Sequence, residues 1–299
     1  MIAWLDAIAG TQMGAHVAMV LALGSAFAHA CFGALQKGRA DPWVSRAAID
    51  IWMIAYTLPL ALLVMPWPQG GEWLILLGAA GIHFTYKVFM ARAYERGAYT
   101  VVYPVVRGTG PLATLAFAAI LLGEHYTPVQ WLGVAILSGA ILWLARLNLR
   151  AAPLNRPALI AALGWAGLTG ITVAIYTTYD AWGIRLWENP FAFVIWFFLF
   201  TSIDFPVLVT WRHRAEGLGR WARPLLARGA LGALVGIVSF GGVMIGTRIG
   251  KVAEVSSLRE TSTLFAALIG WVALGERSSA PRIVLMAGIA AGAVLVQLG

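Results

Sequence analysis

The sequence predicts an all-α membrane protein of ten transmembrane helices, arranged as two inverted five-helix repeats. Three observations predict it. Hydrophobic residues make up 60% of the 299-residue chain and charged residues 11%, with a mean hydropathy of +0.79. Soluble chains carry about 25% charged residues, so lipid is the solvent for most of this one. Apolar runs long enough for the hydrocarbon core, about 20 residues as helix, recur ten times. The second half of the chain also repeats a polar signature of the first.

The runs lie at 14–36, 43–65, 73–93, 99–122, 129–146, 158–183, 190–211, 226–247, 252–274 and 282–298. The stretch before them, MIAWLDAIAG, reads as a short interfacial helix. It holds Asp6 and no basic region, so no cleavable signal peptide is expected. The first span carries His29 and the lone cysteine, Cys31. One cysteine makes neither an intrachain disulfide nor a CxxC metal site; it reads as a packing residue, and no metal or cofactor is expected. Pro59 and Pro206 sit late in the second and seventh spans, where a kink either helps a bundle rock or is static.

The third span places His83 near mid-depth, with Tyr86 and Lys87 on the same face at i+3 and i+4. Lys87 is expected to snorkel toward the cytoplasmic end. His83 and His29 are hydrogen-bonded packing residues unless they line a cavity. The fourth span, "YPVVRGTGPLATLAFAAILLGE", holds Arg107, with Tyr103 one turn before it on the same face. The sixth carries Tyr176, Tyr179 and Asp180, again at i, i+3 and i+4. The glycines of "GALGALVGIVSFGGVMIG" in the eighth let helices approach closely. The ninth carries Arg259 and Glu260. The fifth and tenth are short.

With alternate loops on opposite sides, fifteen of the 21 Lys and Arg residues fall on one side and only Arg185, Arg248 and Lys251 on the other; Lys87, Arg107 and Arg259 lie inside spans. The positive-inside rule makes the rich side cytoplasmic and both termini non-cytoplasmic, in a cell (inner) membrane. This distribution, rather than a clustered patch, also argues that the net charge of +8 does not serve nucleic acid.

Sliding the chain by 152 residues lays RGTGPLATLAFAAILLGE (107–124) over RETSTLFAALIGWVALGE (259–276), with six identities in 18 positions, including Arg107 on Arg259 and Glu124 on Glu276. Random pairing would give about one. Each copy, 1–150 and 151–299, then holds five spans, and an odd number inverts the second copy in the membrane. The stretch LNLRAAPLNRP (147–157) reads as the linker.

Five-span halves whose fourth span ends in "LLGE" or "ALGE", followed by a short turn into a Gly-rich fifth span ("YTPVQWLGVAILSGAILWLA"), resemble the EamA branch of the drug/metabolite transporter superfamily. The resemblance implies a carrier of small molecules: amino-acid and metabolite exporters, and carriers of phosphorylated or nucleotide-linked sugars, are among the members. The small multidrug exporters of the superfamily use a Glu in their first span; the first span here has no carboxylate, which argues against cationic drugs.

An ionisable side chain at bilayer depth costs at least ~2.5 kcal/mol and is a functional hypothesis by default. Arg107 lies eight residues into its span, about 12 Å deep, and Arg259 lies equally far from Lys251. Two such arginines require an anion. It is internal, from Glu260 or from Asp180, Asp204 or Asp50 on neighbouring spans, or it is a substrate carboxylate or phosphate meeting the guanidinium fork. Gly108, Gly110 and Pro111 are expected to interrupt the fourth span and turn N–H groups toward an anion. Arg107 is thus the expected substrate contact, with Arg107→Ala abolishing transport in a folded chain, and Glu260 is the expected partner of Arg259. The candidate binding residues are Arg107, His83, Tyr86, Tyr103, Tyr176, Tyr179, Arg259 and Glu260, with Asp180 and His29 as coupling or ion-pair groups.

There is no GxxxxGK[ST] for ATP, and no HExxH, DDxxD or GxSxG for an intramembrane enzyme. The expected function is secondary transport of a small polar solute by alternating access. An amino acid fits, its carboxylate on Arg107 and its ammonium on Glu260 or Asp180; a phosphorylated or phosphonate anion satisfies the arginines equally. A lipid flippase, with a lateral opening lined by basic residues, is the reading of a different class. The partners are the solute and the lipid bilayer; proton coupling and uncoupled transport are both compatible.

Overall fold

The computed structural model describes residues 1–35, 41–97, 99–150, 156–214, 225–274 and 279–299. The helices are α1 (Ile2–Ile8), α2 (Gln12–Leu35), α3 (Pro42–Leu63), α4 (Glu72–Arg96), α5 (Tyr99–Leu121), α6 (Pro128–Arg150), α7 (Arg156–Leu186), α8 (Pro190–Ser202), α9 (Asp204–Arg212), α10 (Leu226–Ile249), α11 (Val252–Arg259), α12 (Ser262–Leu274) and α13 (Ala280–Leu298). Nine segments among the described residues are long and apolar enough to cross a membrane, α8 and α9 together forming one of them. The remaining predicted span, the ninth (252–274), is divided between α11 and α12. Of the predicted linker, residues 147–150 extend α6 and 151–155 lie outside the described residues, as do Gly275 and Glu276 of the repeated motif.

Local chemistry starts the helices. Asp41 accepts the N–H groups of Trp43 and Val44, with Pro42 in the first turn; Asn189 does the same for Phe191 and Ala192, with Pro190 following. A side-chain acceptor meets donors that have no intrahelical partner, and proline needs none.

Two spans are broken. Between α8 and α9, Pro206 has no N–H to offer Ser202, and the Phe205 N–H turns to Asp204 Oδ1 at 2.6 Å. The Thr201 carbonyl thereby released accepts from Lys87 Nζ at 2.6 Å. Between α11 and α12, tight i to i+3 bonds replace the helical ladder: Glu260 N–H to Ser257 O (3.1 Å), Thr261 N–H to Leu258 O (3.0 Å) and Leu264 N–H to Thr261 O (2.8 Å). The Thr261 hydroxyl competes for the same Leu258 carbonyl at 2.6 Å.

The predicted interruption of the fourth span is corrected here. Helix α5 runs unbroken through Pro104, Gly108, Gly110 and Pro111, and the break falls on the corresponding span of the second copy. Gly108 serves packing instead: a Cβ there would stand 2.7 Å from Leu142 Cγ on α6. The hydroxyl-rich run SSLRETST, not glycine, opens the helix.

The helices pack as two halves exchanging partners. First spans meet third spans across the halves, α2 on α10 and α7 on α4; fourth meets the other copy's first, α5 on α7 and α11–α12 on α2. Second meets second-equivalent, α3 on α8, and fifth meets tenth, α6 on α13. Swapping the repeats maps this pattern onto itself, which is what a pseudo-two-fold axis requires. At the α6–α13 crossing, a Cβ on Gly133 or Gly292 would come within 2.8 or 2.6 Å of the other's carbonyl oxygen, so the backbones touch.

Candidate functional site

The pairing of α5 with α11 brings the two repeated arginines into the interior. Arg107 is 7% exposed and Arg259 is 6%, so both are buried within the bundle. Their partners differ from the expected ones. Glu260 pairs with Arg107, Nη1 to Oε1 at 2.8 Å, instead of with its neighbour Arg259. Adjacent residues on a helix point about 100° apart, so Glu260 faces α5 while Arg259 turns away. Arg107 Nη2 also donates to His29 Nε2. A guanidinium only donates, so that nitrogen carries a lone pair and the ring is neutral. The Tyr103 ring lies under Arg107 at 5.2 Å and stacks on His29. Arg107, Glu260, His29 and Tyr103 thus form one connected group, in which Glu260 Oε2 is buried without a hydrogen-bond partner.

Arg259 has no carboxylate within ion-pair distance among the described residues. Its Nη2 lies 3.5 Å from the Tyr176 hydroxyl, its guanidinium stands over Phe240 at 5.8 Å, and its Nε is buried without a partner. Tyr176 leads to a second group. His83 Nε2 donates to Asp180 Oδ2 at 2.8 Å, both side chains buried, and the His83 ring packs against Tyr176 (4.4 Å), Phe197 (4.9 Å) and Phe240 (5.8 Å), with Tyr86 at 6.3 Å. Asp180 Oδ1 is left without a partner. The α11–α12 break adds the buried hydroxyls of Ser257 and Ser262, likewise unpartnered. Buried polar groups are nearly always hydrogen-bonded; among the described residues Ser257, Arg259, Glu260, Ser262 and Thr263, all at this one broken span, each keep a buried side-chain atom without a partner.

Three other expectations are corrected. Lys87 does not snorkel: it is buried and bonded to Asp50, Asp204 and the Thr201 carbonyl. Asp50 and Asp204 therefore serve Lys87 and Arg46, not the paired arginines. Tyr179 does not join Tyr176 and Asp180; its hydroxyl donates to the Ile75 carbonyl on α4 and its ring meets Trp182.

Helix α11 is clamped at both ends by the first repeat. At its start Glu124 Oε2 accepts the Val252 N–H at 2.9 Å, the Tyr126 hydroxyl accepts the Ala253 N–H at 3.2 Å, and Gln130 Nε2 donates to Glu254 at 2.8 Å. Arg185 closes the same corner through Glu124 (2.6 Å) and the carbonyls of Thr247 and Gly250 (both 2.9 Å). Burial, then the Glu124 carboxylate beside it, pushes the Tyr126 phenol well up, in keeping with its hydroxyl donating to Glu124. At the other end of α11 stands the Arg107–Glu260 pair. A recess of about 470 Å³ opens outside this clamp, bounded by Glu124, Arg185, Arg248, Lys251 and Glu254. Arg259 lies seven residues inside it, about 10 Å along the helix. Glu124 was legible in the sequence only as the end of the repeated motif; Arg185 was marked by being one of three basic residues on its side. Nothing in the sequence joined them. Glu124→Ala strands several donors and is expected to destabilise the fold by about 1–3 kcal/mol, read as a lowered unfolding midpoint in detergent; an unchanged midpoint would show that the corner carries no load.

A bundle of two inverted repeats, with buried charge where a broken helix meets the other copy, has the architecture of a secondary carrier. The chain belongs to the EamA-like transporter family, whose model matches residues 16–146 and again 160–298. Its members are membrane transporters of small molecules, not enzymes. A solved crystal structure, described only as a protein, is 20% identical, with a TM-score of 0.74 over 94% of this chain and 98% of its own; at that identity the likeness carries the fold alone. No curated protein matches in sequence.

Proposed function

We propose that the protein carries a small zwitterionic metabolite, an amino acid, by alternating access around the broken ninth span. Arg259 carries this reading. It is a buried guanidinium with no carboxylate at ion-pair distance among the described residues; its Nη2 reaches the Tyr176 hydroxyl, and the Tyr176 ring packs on His83, the partner of Asp180. Arg107, assigned to the substrate from sequence, is already neutralised by Glu260. The solute carboxylate is placed on Arg259 and its ammonium toward Asp180, with the aromatic rings around His83 against the side chain.

Charge decides between the two ligand classes. Arg107, Arg259, Glu260 and Asp180 sum to zero with both histidines neutral. A zwitterion leaves that balance intact. A phosphorylated dianion adds two negative charges in low dielectric and would require both histidines to be protonated, which His29, accepting from Arg107, resists. A thermal-shift screen of purified protein tests this directly: amino acids should raise the unfolding midpoint and phosphorylated metabolites should not. Counterflow of a labelled amino acid in proteoliposomes is the functional confirmation; turnover of a membrane-soluble substrate without solute movement would overturn the carrier reading.

The arginine-rich face is assigned to the cytoplasm and the termini to the opposite side. Reporter fusions at the C terminus should be inactive for a cytoplasmic reporter and active for an external one. In this orientation the Glu124–Arg185 corner closes the external end of the bundle, and its release gives Arg259 access from outside.

A further inference from the structure

We propose that Lys87 is a tethered coupling cation: its ammonium fills a cage of the kind that holds a monovalent metal ion, and the carrier works without sodium. The cage lies outside the solute site, and the inference does not depend on which solute is carried. Lys87 Nζ meets three oxygens from three elements: Asp50 Oδ2 on α3 at 3.1 Å, the Thr201 carbonyl of α8 at 2.6 Å, and Asp204 Oδ1 on α9. The Lys87 and Asp50 side chains are 3% and 0% exposed.

The oxygens are of the hard type that binds Na⁺. A carbonyl released where a membrane helix is broken, together with carboxylates of neighbouring spans, is a recurrent ion site in secondary carriers. Here Pro206 and Asp204 break the seventh span and release the Thr201 carbonyl, and a side chain, not an ion, occupies the position. Charge bookkeeping agrees. Arg46 Nη2 stands 2.8 Å from Asp50 Oδ1, so Arg46, Lys87, Asp50 and Asp204 sum to zero. Removing the lysine charge leaves one net negative charge, which one monovalent cation neutralises.

The cage also spans the repeats. Helices α3 and α4 belong to the first and α8–α9 to the second, so the ammonium ties the halves together as a coupling ion would, without dissociating. A structural ion pair alone would tolerate no substitute for the lysine; a tethered cation is replaceable by a free one.

The test is thermal unfolding of the full-length protein in detergent, in NaCl or choline chloride at equal ionic strength. The unsubstituted protein should show the same midpoint in both. Lys87→Ala should be destabilised in choline and recover with Na⁺, its midpoint climbing with the logarithm of concentration and gaining roughly 5 °C or more at saturation. Adding Asp204→Asn to Lys87→Ala removes the residual charge and should abolish that response. A Na⁺-specific shift in the unsubstituted protein, or a folded Lys87→Ala indifferent to Na⁺, overturns the proposal. So does failure to recover Lys87→Ala from sodium buffer while the double variant folds. Loss of both variants overturns it as well, assigning Lys87 to packing over Phe205, whose ring lies 5.0 Å from Nζ.

Discussion

Arg107→Gln should unfold at a markedly lower midpoint, with a loss of about 3–5 kcal/mol, because it strands Glu260 as an uncompensated carboxylate in the membrane interior. The ion pair is 2.8 Å long, with side chains 7% and 3% exposed, so solvent cannot screen the orphan. Glu260→Gln in the same background should restore most of the loss, since a neutral pair carries no unpaired charge. The measurement is a double-mutant cycle on the unfolding midpoint. Additive losses would mean the two side chains do not depend on one another. From sequence alone the loss of this arginine, as Arg107→Ala, is expected to spare folding and abolish transport; the Glu260 partner found in the fold moves the effect to stability.

Arg259→Gln should behave differently. Arg259 makes no direct ion pair among the described residues, so its removal strands no bonded carboxylate and the unfolding midpoint should fall far less than in Arg107→Gln. Solute affinity should fall by about 10–150-fold, the worth of a charge-assisted hydrogen bond of 1.5–3 kcal/mol. Arg259→Lys should rescue little, because a point ammonium does not reproduce the planar fork that meets a carboxylate through two bonds. Binding by thermal shift and counterflow in proteoliposomes read both. If Arg259→Gln binds the amino acid unchanged but loses its thermal stability, Arg259 is structural and the proposed site is misplaced.

Much of the fold was legible because membrane insertion writes itself into composition. Ten apolar runs, a repeat of Arg and Glu at one offset and an odd number of spans per copy suffice for the inverted bundle. The site was half legible for the same reason: Arg107, Arg259, Glu260, His83 and Asp180 stood out because each is costly in lipid. Their pairing was not legible. Whether Glu260 serves Arg259 beside it or Arg107, 153 positions away, depends on the side of α11 that faces α5. The burial of Lys87 is not legible either: snorkelling is the default for a lysine on an isolated helix, and only the approach of α3 and the broken α8–α9 makes the interior the better place.

The broken helix is the sharpest case. Glycine and proline in RGTGP pointed to the fourth span, while SSLRETST in the ninth carried the weaker-looking signal of five hydroxyls. Packing decided between them. In α5 the absent Gly108 side chain admits Leu142 and the helix survives; in the ninth span the Thr261 hydroxyl takes a carbonyl from the ladder, and Glu260 finds its partner on another helix. The amino-acid sequence by itself determined what must be buried and how many times the chain crosses, because the cost of placing each residue in lipid is local and additive. Which charges neutralise each other, and which arginine is left for a ligand, only the tertiary structure decided, because electrostatic pairing inside a bilayer depends on angles and distances between segments remote in the chain.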